Sequence, residues 1–412
     1  MSRHVVVTGL GAVCPVGNTM PEAWEALLHG RSGIGRITLF DPAPYAVQIA
    51  GEVKGFSAAG RIDPKRARHM DRHAQLAVVA AHEALGDAGL VIGDANRDRV
   101  GVIVGSAAGG VQTLVNAQKT LDERGPARVN PFFLPNFLAD AATGHIAIET
   151  GAAGPNYATV SACATGSHAL GEAMRTIERG DADAMIAGGT DTVVLPITLA
   201  GFINMKGLAV DNERPEQASR PFDKDRGGFV ISEAAAVLIL EELEHARARD
   251  AQVYAELVGY GATDDAFNMF AQAEDGEGAA RAMSRALLSA GLNSGEIDYI
   301  NAHGTGTPLN DRVETHAIKR VFGAHAYRLA VSSTKSMTGH MMGASGALEG
   351  SIAALAIRHG VIPPTINLDT PDPECDLDYV PHTAREQRVR TALSNSIGLG
   401  GHNATVILQA LR

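Results

Sequence analysis

Short β-branched runs at residues 5–7, 102–104, 184–186 and 237–240 recur along the chain between longer segments with apolar residues at helical spacing. Each run is apolar without alternation, the pattern of a strand covered on both faces, and the rhythm predicts an α/β fold. After the last run, residues 241–250 read Glu-Glu-Leu-Glu-His-Ala-Arg-Ala-Arg-Asp, which predicts a solvated helix joining two halves, 1–250 and 251–412. The second half restarts the pattern of the first. Ala-Glu-Leu-Val-Gly-Tyr-Gly at 255–261 echoes Val-Val-Val-Thr-Gly-Leu-Gly at 5–11, and Gly227-Gly228-Phe229 before the run at 236–240 resembles the glycines at 398–401 before the run at 404–408. Duplicated halves meet at a pseudo-twofold axis, where a deep site assembled from both is expected.

Composition narrows the class of protein. A chain of 412 residues exceeds one ordinary core, and 45% hydrophobic with 20% charged residues and 46 glycines suits a tightly packed α/β protein. The net charge of -11 and the lack of a long Lys/Arg block argue against a nucleic-acid partner. No apolar stretch reaches the ~18 residues of a membrane span or forms a signal sequence, so the expected location is the cytoplasm. Three cysteines, Cys14, Cys163 and Cys375, suit a reducing compartment and leave at least one free thiol.

Cys163 stands out by its setting. Residues 159–167 end a strand-like run and open a helix with apolar face Ala169, Leu170, Ala173, Met174 and Ile177, closed by Gly180. A thiol at a helix N-terminus meets free N–H groups and the positive dipole end, which predicts a pKa lowered from about 8.5 towards about 7. A small core cysteine is the competing reading. Further on, Tyr299-Ile300 delivers His303 onto a Gly/Thr-rich turn, Asn-Ala-His-Gly-Thr-Gly-Thr-Pro, before a helix marked by Val313, Ala317, Ile318 and Val321. Thr305 and Thr307 there can hydrogen-bond a polar ligand arm. Lys335 and His340 lie on one loop ahead of a small-residue helix from Gly343. Taken singly, each of these groups also fits a structural or solvated role. The chain has 15 histidines but no HExxH or paired Cys/His spacing, so no metal is expected. Gly9-Leu10-Gly11 lacks the third glycine of a dinucleotide fingerprint, and Pro15 interrupts the helix start.

Together, Ala162-Cys163-Ala164, the His303-Gly-Thr-Gly-Thr-Pro turn, Lys335-Ser-Met-Thr-Gly-His340, Pro363-Pro364-Thr365-Ile366-Asn367-Leu368 and Ser394-Asn395-Ser396 with the glycine loop to Asn403 resemble the β-ketoacyl-acyl carrier protein synthases, in order, from residue 3 to 410. The likeness is greatest to the type II elongating enzymes. It implies a thiolase fold, a five-layered αβαβα arrangement of two duplicated βαβαβ-type halves, and a homodimer. It implies no cofactor, the substrates being thioesters on the phosphopantetheine arm of acyl carrier protein. By resemblance, Cys163 accepts the acyl group, backbone N–H groups of Cys163 and Leu399 form the oxyanion hole, and His303, His340 and Lys335 serve the decarboxylative condensation with malonyl-carrier protein. Glu314 and Glu349 would support them. Thr305 and Thr307 would contact pantetheine, and Ala108, Phe133, Phe202, Phe270, Ile397 and Leu399 the substrate. Lys65, Arg66, Arg68, Arg128 and Lys206 fall in segments the family uses to dock its carrier protein.

Departures from the family cluster at substrate handling. Ile397 and Leu399 replace aromatic residues of the glycine loop, Asn268 and Phe270 replace His and Thr, and Ala108 replaces a bulkier aliphatic. The entrance is therefore expected to discriminate less among acyl groups, with Phe270 reshaping its mouth. A polyketide-type ketosynthase shares the mechanism and is the alternative. A chain-length-factor-like subunit would lack the reactive cysteine, and a thiolase would carry a second one near the C-terminus.

Overall fold

The computed structural model describes residues 3–411. Nine strands, β1 (Val5–Val13), β2 (Val100–Gly105), β3 (Ala184–Thr192), β4 (Glu233–Glu242), β5 (Ala255–Asp264), β6 (Tyr299–Asn301), β7 (Ala330–Ser332), β8 (Thr391–Ile397) and β9 (His402–Gln409), form one sheet in the order β2-β3-β4-β1-β5-β9-β8-β6-β7. The four apolar runs of the first half are its β1 to β4. From β1 outward the pairings run antiparallel, antiparallel, parallel, and from β5 outward the same sequence repeats. Among the described residues only the pairs Val6–Glu256 and Val7–Ala255 join the two sets, so the sheet is two twisted sheets touching at one corner.

Five helices complete the layers: α1 (Arg72–Ala88), α2 (Thr165–Glu178), α3 (Glu277–Ala290), α4 (Pro308–Phe322) and α5 (Ser345–His359). α2 and α5 lie between the two strand sets, α1 covers the outer face of one, and α3 with α4 covers the other. This is the five-layered thiolase arrangement. The echo between 5–11 and 255–261 has a physical basis. A Cβ on Gly9 or Gly11 would stand 2.2 and 2.1 Å from the Ala84 and Ala80 carbonyl oxygens of α1, and one on Gly259 or Gly261 2.6 and 2.1 Å from those of Ala286 and Ala282 in α3. Each half therefore needs glycine where its outer helix presses on the strand.

The central helices repeat each other as well. Ala162-Cys163-Ala164-Thr165-Gly166 opens α2 and Met342-Gly343-Ala344-Ser345-Gly346 opens α5, each through a short 3-10 turn, with Ala162 and Met342 at φ 48° and 49°. The helices cross at their glycines, since a Cβ on Gly166 would meet Ala347 N at 2.7 Å and one on Gly346 would meet Ser167 N at 2.6 Å. Cys163 and Gly343 thus sit at corresponding places in the two halves. Gly180 ends the α2 turn as expected, at φ 81°.

The charged stretch 241–250 is not the solvated helix its composition predicts. β4 runs to Glu242 and only Leu243–Ala248 is helical. Glu241 is fully buried, its carboxylate taking Arg249 Nε at 2.9 Å, His245 Nδ1 at 2.7 Å and the Thr8 hydroxyl. Burial alone would raise its pKa, but these partners hold it down to about 2. Burial in the sheet, with two cationic partners from its own segment and a hydroxyl from β1, turned an outward-looking charge into an interior one. Among the described residues no helix is long and apolar enough to cross a membrane.

Candidate active site

The strained 3-10 turn at Ala162–Ala164 carries Cys163 into the junction between the halves, where it is only 6% exposed. Its Sγ lies 2.9 Å from His340 Nε2, and the nearby backbone N–H groups of Leu399 and of Cys163 itself favour its anion. The glycine loop fits closely beneath, for a Cβ on Gly398 would stand 3.0 Å from Ser161 O and 3.1 Å from Cys163 N.

His340 is pinned through its backbone, donating N–H to Val230 O at 2.7 Å and accepting from Ser232 N at 3.0 Å. Its Nδ1 is 3.2 Å from Ser345 Oγ, which also accepts from Met341 N–H at 3.1 Å. Phe229 stands edge-on to the His340 ring at 5.4 Å, and Phe202 stands edge-on to Phe229 at 5.4 Å. The His303 ring meets that of His340 at 5.3 Å and 86°. Glu314 does not touch either imidazole: its two oxygens take the backbone N–H groups of His303 and Gly304, each at 2.8 Å, and so fix the turn that presents the ring. Lys335, 1% exposed, forms an ion pair with Glu349 on α5.

Electrostatics separate these groups. Burial, with the Lys335 charge, holds both histidines well below the usual imidazole pKa, His303 being lowered further by His340, so both are neutral. Burial pushes the Glu349 carboxyl up to about 7 against the pull of Lys335. The Cys163 thiol is pushed up to about 11, contrary to the lowered value expected from its place at a helix start. The two N–H groups and Lys335 do favour thiolate, but removing the sulfur from water costs more than they return. The sulfur therefore rests protonated beneath a neutral imidazole. Cys163, His303 and His340 also bring three donor atoms within 4.8 Å, a set able to hold a thiophilic cation, although the buried Lys335 charge opposes one.

A cavity of about 410 Å³ opens from Cys163 between Phe202, Phe229, His303, His340, Ile397 and Leu399. Thr305, Thr307, Lys206 and Phe270 also line it. Thr307 is partly committed, because its hydroxyl caps α4 by accepting Asn310 N–H at 3.3 Å. Phe270 is 72% exposed, so it borders the mouth without filling it. Ala108 packs in the apolar cluster around Cys163 but lies behind the cavity wall. Phe133 is not brought to this cavity within one chain. It stacks on Phe137 at 4.9 Å in a separate groove shared with Arg68 and Arg128, while Lys65 and Arg66 sit exposed on the neighbouring turn, Pro64–Ala67. Arg66 is tied to Glu149 at 2.8 Å. Ser345, Phe229 and Met342 were not legible as site residues, being unremarkable in local sequence. The match between residues 342–346 and 162–166 was the available signal for Met342 and Ser345.

Residues 2–246 match the family model described as beta-ketoacyl synthase, N-terminal domain, and residues 254–369 its C-terminal domain. The chain belongs to the β-ketoacyl synthase family. Among curated β-ketoacyl synthases it is 51% identical to the 3-oxoacyl-[acyl-carrier-protein] synthase 2 of Synechocystis sp., over 98% of this chain and 97% of the relative. It is 50% identical to the enzyme of the same name from Staphylococcus aureus, over 99% and 98%. Among solved structures it resembles a β-ketoacyl synthase from Burkholderia phymatum (TM-score 0.92, 35% identity) and the ishigamide ketosynthase/chain length factor (TM-score 0.92, 36% identity), each over the full length of both chains.

Proposed function

We propose that this chain elongates acyl thioesters by decarboxylative condensation, joining an acyl group held on Cys163 to malonyl-acyl carrier protein and giving a β-ketoacyl-carrier protein. The observation that carries this reading is the Cys163 Sγ to His340 Nε2 contact of 2.9 Å, with His303 edge-on to His340 alongside. Relatives about half identical over the whole chain are named for the same reaction.

In the first half-reaction Cys163 attacks the thioester carbonyl, and the oxyanion is held by the N–H groups of Cys163 and Leu399. The thiol proton leaves with the released carrier thiol, and His340 Nε2 is the group on its path. In the second, the malonyl unit loses carbon dioxide, Nε2–H groups of His303 and His340 stabilise the enolate oxygen, and its carbon attacks the acyl-cysteine carbonyl, breaking the C–S bond and releasing Cys163 as a thiolate that takes a proton from water. Neutral imidazoles suit both steps: Ser345 Oγ can accept from or donate to His340 Nδ1, so Nε2 takes a proton in one step and donates in the other. Burial, aided by the Lys335 charge, keeps both rings neutral, and the pairing of Lys335 with Glu349 keeps the ammonium in place.

The substrate arm reaches Cys163 past Thr305 and Thr307, and Lys206 on the cavity lining, with Arg68 and Arg128 in the separate groove, offers positive charge to an acidic carrier protein. The chain divides near residue 250, the first half contributing Cys163 and the second His303, Lys335 and His340. A second copy would cover the helix Val111–Arg124, which has no buried residue and exposes Leu114, Val115 and Leu121 ahead of exposed Phe132, Leu134 and Leu138.

Cys163→Ala should abolish acyl-enzyme formation. Intact-protein mass spectrometry after incubation with acyl-carrier protein reads this directly, and an acyl adduct persisting on the variant would remove Cys163 from the mechanism.

A further inference from the structure

Asp191 lies fully buried near the end of β3, and no cationic side chain among the described residues reaches it. Four donors converge on its carboxylate instead. Oδ1 accepts the Ser106 hydroxyl at 2.7 Å and Ala108 N–H at 3.1 Å, while Oδ2 accepts Ala107 N–H at 3.0 Å and Gly343 N–H at 2.7 Å. Three of these are N–H groups, which cannot take a proton, and Ser106 Oγ already accepts from Gly109 N–H at 2.9 Å. The arrangement therefore holds Asp191 as a carboxylate, although burial raises its affinity for a proton.

What it joins gives the contact its meaning. Ser106, Ala107 and Ala108 follow β2 in the first half, whereas Gly343 opens α5 in the second, at the place that corresponds to Cys163. Ala107 and Ala108 pack in one apolar cluster with Cys163, Phe202 and Met342, and Met342, next to Gly343, lines the cavity. The junction has no slack, because a Cβ on Gly343 would stand 2.6 Å from Asp191 Oδ2 and 2.9 Å from Ala107 N.

We propose that Asp191 is a positioning residue for acyl selectivity, clamping the Ser106–Ala108 loop to Gly343 so that Met342, with Ala108 packed in the same cluster behind it, holds a fixed wall beside the acyl chain on Cys163. This rests on Cys163 being the acyl acceptor. The carboxylate also places a negative charge near the thiol, opposing thiolate formation. Asn cannot replace Asp here, since each oxygen already accepts two donors and an amide nitrogen would face N–H groups in either orientation.

The test compares the full-length wild type with Asp191→Asn, Ser106→Ala and Gly343→Ala. Acylation of Cys163 by short, long and branched acyl-carrier proteins is followed by intact mass, and alkylation by iodoacetamide is followed against pH. All three variants should change the ratio of long-chain to short-chain acylation, by roughly tenfold for Asp191→Asn. Only Asp191→Asn, which removes the charge, should also move the alkylation profile to lower pH. Ser106→Ala keeps the carboxylate and loses one donor, so it serves even if the other variants do not fold. An unchanged ratio in folded variants overturns the proposal, as does an equal loss with every substrate together with a wild-type alkylation profile. Failure of the wild type to take any acyl group would instead overturn the proposed reaction, and the alkylation profiles would still decide whether Asp191 acts on the Cys163 environment.

Discussion

Cys163 is placed as a nucleophile needs to be, yet it is not pre-ionised. With its thiol pushed up to about 11 by burial, the thiolate fraction at pH ~8 is roughly one in a thousand. A raised folded-state value disfavours the anion until the pH approaches it, so alkylation of the unacylated protein should still be climbing between pH ~9 and ~10. A stopped-flow or mass-spectrometric pH profile that levels off near the ordinary thiol value would show that the site pre-ionises its sulfur. The histidines carry the opposite sign. Burial and Lys335 lower their pKa values, so the neutral rings persist on acidification, and the acid limb of condensation should fall well below the usual imidazole range. The sequence displayed the helix start behind Cys163 but not the depth of its burial, and burial decided the direction of the shift.

At the scale of elements, the crossing of α2 and α5 sets how closely the halves, and therefore Cys163 and His340, approach. Gly346 stands at that crossing with Ser167 Oγ 2.4 Å and Ser167 N 2.6 Å from the place of a Cβ. Backbone cannot yield there cheaply, so Gly346→Val should cost roughly 1–3 kcal/mol through overpacking. Calorimetry should show a melting temperature lower by several degrees, and a value equal to wild type would mean that the crossing has room to spare. The strands, the helices and the repeat of 5–11 at 255–261 were legible because the same apolar and glycine pattern serves the same packing twice. The end of β4 was not: Glu241 is buried in the sheet and held by His245 and Arg249 from its own segment and by Thr8, and a local charge pattern cannot announce burial or a partner more than two hundred residues away.

For the whole molecule, the uncovered helix Val111–Arg124 and the apolar residues after it predict a partner surface. Burying Leu114 and Leu121 against a second copy would be defeated by charge, so Leu114→Glu with Leu121→Glu should raise the dimer dissociation constant at least about tenfold, equivalent to ~1.4 kcal/mol. Sedimentation velocity distinguishes the species, and identical profiles for variant and wild type would exclude that surface. The expectation for Phe133 belongs to this scale, because one chain by itself leaves that ring outside the Cys163 cavity. By itself the sequence determined the α/β class and the family, and it marked Cys163, His303, Lys335 and His340 as candidates, since these are written in periodicity or in motifs whose residues are neighbours along the chain. Only the tertiary structure decided that the thiol is protonated, that Glu314 grips backbone while Glu349 pairs with Lys335, and that Asp191 ties one half to the other. Those outcomes depend on burial and on hydrogen bonds between segments far apart in the chain, and both come into being only when the two halves close on each other.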